Sequence, residues 1–188
     1  MNRKFDKKEL NILFLGWITE EKGVFDLLLV FKGIIQKTQG FTLNLLVAGM
    51  GRDYILLKNK IEEFKLRNRV NLLGWINGDD KLKLLQMTDI YVCPSYFEGL
   101  PNSLLESMAS GIPSISTNVG SISDVISHGH NGFLYDPGDN NKLESLLFNL
   151  INDIDLREKF SKNSVSHINS NNTIKIASEM MDNIFCKI

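Results

Sequence analysis

Short, continuously apolar runs alternate along this chain with longer runs in which apolar residues recur every three or four positions, so strands and amphipathic helices are predicted in turn. Asn11–Gly16 (NILFLG) reads as the first strand, followed by a helix from about Lys22 to Thr38. Thr42–Ala48 is the second strand, and Asp53–Leu66 the helix after it. Val70–Leu73, Ile90–Cys93, Pro113–Ser116 and Gly132–Leu134 continue the strand series. Helices at about Asp79–Met87, Asn102–Ser110 and, shorter, Ser123–Ser127 lie between them. Three more helices end the chain, at about Asn140–Asn152, Asp155–Asn169 and Thr173–Cys186. The strands are apolar on both faces, the pattern of a parallel sheet covered by helices. Alternating strands and helices with short connections predict a doubly wound α/β domain.

In such a sheet, ligands bind outside the carboxyl ends of the strands. Gly16, Gly49, Gly51, Gly74, Gly99 and Gly120 all follow predicted strands. Any one of them reads equally as turn chemistry. Six at corresponding ends predict a floor where backbone approaches something closely. At 188 residues, 43% apolar and 23% charged, the chain has the composition of a soluble globular protein. That length suffices to bury roughly 70% of the unfolded surface. No internal repeat or low-complexity linker divides it, so one unit is expected, with a sheet domain at about 10–152 and C-terminal helices at about 153–188.

Net charge is −1, which gives no global field for nucleic acid or an acidic membrane surface. Arg3, Lys4, Lys7 and Lys8 read as a solvated terminus. No run approaches the roughly 20 apolar residues of a membrane span. The first apolar run is only about six residues long and does not read as a secretion signal. The two cysteines, Cys93 and Cys186, lack metal or Cys-x-x-Cys spacing. Cys93 reads as a small buried hydrophobe, and the compartment as the reducing cytoplasm. His128-Gly129-His130 sits in a Gly/Asn-rich turn and reads as a solvated loop rather than a metal site.

One segment carries chemistry. Glu98 and Glu106 stand seven residues apart, around a Gly-Leu-Pro-Asn-Ser stretch that opens the helix predicted from Asn102. The first N–H groups of a helix have no intrahelical acceptor, and its dipole favours an anion there. Pro101 suits a helix start, Asn102 or Ser103 can cap it, and Gly99 removes bulk from the approach. Glu106 lies about one turn in, ~6 Å from the start. A carboxylate beside a bound phosphate repels it, whereas a ribose diol offers that carboxylate two O–H donors. Glu98 can serve the hydroxyls of a sugar on the other side of a diphosphate. Each acid alone reads as a solvated charge; the two together, at the end of a buried strand, favour a nucleotide diphosphate-sugar.

These same residues, Phe97–Pro113 (FEGLPNSLLESMASGIP), resemble the signature of the retaining GT-B glycosyltransferases of family 4, the glycosyltransferase group 1 domain. The resemblance continues through Ser116–Ser121, Asp124 and Gly129–Asp139. Upstream it takes in Phe14-Leu15-Gly16 with Lys22-Gly23, and Val47–Gly51, so it covers about Asn11 to Leu150. It implies the Rossmann-like C-terminal half of a GT-B fold, the half that binds the nucleotide-sugar donor. By resemblance Glu106 holds the ribose hydroxyls and Glu98 those of the transferred sugar. Backbone amides around Ser103 and Leu104 hold the diphosphate, with Gly16, Gly99, Leu100 and Asn102 around it. Lys22 matches the phosphate-binding lysine that neutralises charge as the sugar–phosphate bond breaks. Gly74-Trp75-Ile76 matches the segment near the nucleobase.

The chain departs from the pattern at Trp17, where the family commonly has an arginine five residues before the lysine. Tryptophan offers no cationic fork. Either Lys22 and the helix tip suffice, or a cation such as Arg52 substitutes, or transfer is weakened. Ser121 in place of a usual glycine adjusts a loop. No cofactor or metal is expected, because no Asp-x-Asp stands where it holds a metal between phosphates. The resemblance also implies an N-terminal acceptor-binding domain that is missing here, so donor binding with little transfer is expected of the chain alone. Its last helix, from about Thr173, is expected to reach toward that half. Membrane association is expected only through that half, at the inner face. A non-catalytic nucleotide-sugar-binding module or partner subunit is the alternative. NAD binding is rejected, since Gly16-Trp17-Ile18-Thr19 and Gly49-Met50-Gly51 lack the Gly-x-Gly-x-x-Gly spacing.

Overall fold

Glu9–Leu15 forms β1, an apolar strand with a parallel neighbour on each side, so it lies inside the sheet. The computed structural model describes residues 3–171, and the helix expected at Thr173–Cys186 falls outside them. After β1 come α1 (Val24–Lys37), β2 (Thr42–Ala48), α2 (Tyr54–Glu63), β3 (Val70–Gly74) and α3 (Gly78–Met87). Then follow β4 (Ile90–Cys93), α4 (Asn102–Ala109), β5 (Ser114–Thr117), β6 (Phe133–Tyr135), α5 (Asn140–Asn152) and α6 (Ile154–Asn171). The six strands pair in parallel, in the order β3-β2-β1-β4-β5-β6. The doubly wound α/β class expected from the alternation is the fold observed.

Strand alternation divides the core into two layers. Leu10, Ile12 and Phe14 of β1 face α1, α2 and α5, whereas Leu13 faces α3 and α4. Ile90 and Val92 of β4 join the first layer, Tyr91 and Cys93 the second. Helix α6 joins the two, with Phe160 in one cluster and Ile168 in the other. The expectation of two apolar faces holds for β4 and β5, which are buried at every position. It fails at β3, an edge strand whose residues alternate between cover and exposure.

Two arginines fix the end of the sheet remote from the strand carboxyl ends. Arg157 is buried and donates to the carbonyls of Leu150, Ile151 and Phe5, which satisfies the open C-terminal turn of α5. Arg3 donates to the carbonyls of Ser110, Thr88 and Leu85. Lys7 pairs with Asp89 at 2.7 Å. The solvated reading of this terminus is therefore corrected for Arg3 and Lys7. Helix-end carbonyls without intrahelical donors, which periodicity does not reveal, recruit the Arg3 guanidinium.

The helix expected from Lys22 begins instead at Val24, after a 3-10 turn at Glu20–Lys22. The break is Gly23, in the left-handed region at φ 67° and pressed so close to the β4 loop that a Cβ there meets the Pro94 carbonyl oxygen at 2.0 Å. This leaves Lys22 on a turn above the strand ends rather than on a helix face. The short helix expected at Ser123–Ser127 is likewise a 3-10 turn at Ile122–Asp124. Helix α2 stops at Glu63, ahead of Lys65 at φ 58°. Gly23→Ala combines a left-handed backbone with a backbone clash, each costing on the order of 1–3 kcal/mol. Urea unfolding should show at least that loss, and a variant as stable as wild type would refute the role given to this glycine.

Candidate functional site

The strand order reverses its direction of winding between β1 and β4, and there the connections leaving the two strands part. A cleft of about 460 Å³ opens at that point, with Gly16, Trp17 and Lys22 on the β1 side. Ser95, Glu98, Pro101, Asn102, Ser103 and Glu106 line it from the β4 side, and Trp75, Ile76 and Lys81 from beyond β3.

The β1 loop is held by its backbone. Gly16 N–H donates to the Ala48 carbonyl at 3.0 Å and Ile18 N–H to the Met50 carbonyl at 2.9 Å, which carries the sheet ladder past its strands. Ile18 is fully buried, an anchor of roughly 2 kcal/mol or more. Trp17 therefore turns outward, where its ring lies 5.9 Å from that of Trp75, tilted by 50°.

The β4 loop is braced from three directions. Tyr96 N–H donates to the Glu21 carbonyl at 2.8 Å, and its hydroxyl donates to Asp26 at 2.8 Å. Thr117 Oγ1 donates to the Ser95 carbonyl at 2.6 Å. Ser121 N–H reaches the Gly99 carbonyl at 2.9 Å. Three of the strand-end glycines serve this loop packing rather than an open floor. A Cβ on Gly49, Gly51 or Gly120 meets the carbonyl oxygen of Gly16, Ile18 or Glu98 within 2.2 Å. Gly16 and Gly99 are different: the nearest atom to a Cβ on Gly16 is 3.7 Å away, and Gly99 faces open space.

Helix α4 has Pro101 as its N-cap and no side-chain cap, so neither Asn102 nor Ser103 caps it as expected. The Ser103 hydroxyl bonds instead to Tyr91 Oη at 2.8 Å. Burial pushes the Tyr91 hydroxyl well above its ordinary range, so it stays neutral. Leu104 N–H is turned to the Pro101 carbonyl at 3.1 Å and its side chain is in the core, so this residue is removed from the free donors. The N–H groups of Asn102 and Ser103 remain at the tip. Leu100 packs against the second core layer.

Each acid has its own lysine. Lys22 Nζ lies 2.6 Å from Glu98 Oε1, which also accepts from Ser95 Oγ at 2.8 Å. Lys81 Nζ lies 2.6 Å from Glu106 Oε1. Lys81 carried no sequence signal: it sits one turn into α3 and meets Glu106 only through the fold. Cys93 is buried beneath this wall; burial, then the Glu98 carboxylate, push its thiol up. Arg52, offered as a substitute cation, is spent on Glu21 and Asp53 and does not line the cleft.

Other acids and imidazoles lie elsewhere. Asp153-Ile154-Asp155 is an Asp-x-Asp at the α5–α6 junction, where Asp153 accepts from Leu156 N–H at 2.8 Å. His128 Nδ1 accepts from Leu134 N–H at 3.0 Å. Among the described residues, no three His, Cys, Asp or Glu side chains converge as a metal site, and no helix is long and apolar enough to cross a membrane.

A curated relative, an uncharacterised glycosyltransferase of Methanocaldococcus jannaschii, is 30% identical over 186 residues, 92% of this chain and 46% of its own length. The capsular polysaccharide biosynthesis glycosyltransferase CapM of Staphylococcus aureus is 27% identical over 194 residues, 98% of this chain and half of its own. The chain thus spans about half the length of these relatives. Among solved structures, the C-terminal domain of a glycosyl transferase group 1 family protein from Francisella tularensis superposes with TM-score 0.79 at 26% identity, covering 88% of this chain and 87% of that one. The fold is that of the C-terminal half of GT-B glycosyltransferases. The family model for glycosyl transferases group 1 matches residues 2–167, and the chain belongs to that family.

Proposed function

We propose that this chain is the donor-binding half of a retaining, family 4 glycosyltransferase. On this reading it serves the transfer of a sugar from a UDP-, GDP- or ADP-linked donor to a hydroxyl acceptor in polysaccharide or glycolipid assembly, in the cytoplasm. The supporting observation is that Glu98 and Glu106 open into one cleft with the uncapped tip of α4 between them.

The donor's diphosphate takes the free N–H groups of Asn102 and Ser103, aided by the helix dipole. Gly16 and Gly99 leave room for it. The ribose diol donates to Glu106, and the transferred sugar's hydroxyls donate to Glu98. Trp75 and Ile76 border the base. As the sugar–phosphate bond breaks, charge grows on the departing phosphate, and the Lys22 ammonium stabilises it. No metal is assigned to the site.

Both tryptophans of the chain line this cleft, so tryptophan emission, excited beyond the tyrosine band, reads its wall alone. Titrating UDP, GDP and ADP should change that fluorescence saturably for one base above the others. Glu106→Ala should then weaken the matching nucleoside by roughly 1.5–3 kcal/mol, the worth of hydrogen bonds to a charged group. Unchanged nucleoside affinity would sink the ribose assignment.

The relatives' greater length favours a second half that supplies the acceptor side. The isolated chain is therefore expected to bind donor but transfer little sugar, and rapid transfer by the purified chain would overturn that. Trp17, which brings no charge to the cleft, favours a second reading as a non-catalytic nucleotide-sugar module. Transfer restored by adding an acceptor domain in trans decides against it.

A further inference from the structure

The cleft holds two cations, and only one has a role so far. Lys22 and Lys81 are the charged donors among the lining residues, each 2.6 Å from a carboxylate of the site. Their positions are not equivalent. Glu98 Oε1 keeps the Ser95 hydroxyl at 2.8 Å if Lys22 swings away. The Glu106 carboxylate is bonded to Lys81 alone among the described residues. A diol that donates one hydroxyl to each carboxylate oxygen of Glu106 therefore competes with Lys81 for Oε1. The displaced ammonium, half-buried in the cleft wall, then needs an anion or water.

We propose that Lys81 is the second phosphate-binding cation of this site. It rests on Glu106 until a ribose takes that carboxylate, and then turns to the phosphate nearer the ribose. The inference rests on the reading of the cleft as a nucleotide site. Three observations support it. Glu106 lies one turn into α4, ~6 Å from its tip, a span that a flexible four-carbon stem covers. Trp17 brings no charge to the β1 side of the cleft, and Arg52 is held away by Glu21 and Asp53. With both acids neutralised by both lysines, the cleft has no net side-chain charge. Once hydroxyls take over the carboxylates, both ammonium groups become available to a diphosphate.

The plain alternative is that Lys81 only holds Glu106 in place. The two differ in what happens when phosphates are removed from the ligand. Wild type, Lys81→Met and Lys81→Arg are titrated with the nucleoside and the nucleoside diphosphate of the base that wild type prefers. Circular dichroism checks that each variant is folded. Lys81→Met should weaken the nucleoside diphosphate about tenfold while nucleoside affinity holds or rises, because Glu106 has lost its competitor. Lys81→Arg should recover most of the diphosphate affinity. An equal loss for both ligands, or no loss for either, overturns the proposal while leaving the nucleotide site standing. If wild type binds no nucleoside diphosphate at all, the site reading itself falls, and this role with it.

Discussion

Everything at the cleft follows from the handedness of parallel connections. A strand–helix–strand crossover in a parallel sheet is right-handed, so the side on which its helix packs depends on the direction of travel along the sheet. From β1 the chain moves outward through β2 to β3, and α1 and α2 pack on one face. It then returns past β1 to β4 and moves the other way, with α3 and α4 on the opposite face. The connections above β1 and β4 are thus pulled to opposite sides. Lys22 arrives on one and Glu98 on the other, and they meet across the gap. The chemistry of this site is a consequence of winding before it is a consequence of any one residue.

The ion pairs in the cleft add little to stability. Lys81 and Glu106 are both about one-third exposed, a setting in which such pairs contribute on the order of 0–1 kcal/mol. On the proposed reading, pairs so weak exchange readily for the hydroxyls and phosphates of the donor. The rigidity comes from elsewhere: the buried Ile18, the Tyr96–Asp26 bond, and glycines that let loop carbonyls close on one another. Weakly paired charges on a closely packed frame are the resulting arrangement.

The doubly wound class was legible because buried parallel strands are apolar on both faces, a property local to each run. The two acids were legible because their spacing spans a helix start. Lys81 was not, because one turn into an amphipathic helix a lysine is ordinary, and only the return of the chain to β4 brings it to Glu106. The roles of Arg3 and Arg157 were hidden for the same reason: their acceptors are carbonyls at helix ends, which carry no mark in the sequence. The strand-end glycines misled in an instructive way. Three of them press on neighbouring loops rather than opening space, and a glycine in sequence does not say what approaches it.

Trp17 finds a partial account in its surroundings. Trp17, Trp75 and Phe97 are 58%, 65% and 76% exposed, and the two tryptophans form a ring pair at the wall of the cleft. An apolar rim of this kind does little for a charged ligand while water reaches it. On the proposed reading, a second half closing over the rim removes that water, and the interaction of Lys22 with the departing phosphate strengthens as the local dielectric falls. On that reading the absence of a cation at position 17 is offset in part by a drier setting for Lys22 and Lys81. The rim and the two lysines then act together on the same reading, exclusion of water doing some of what an arginine does by charge.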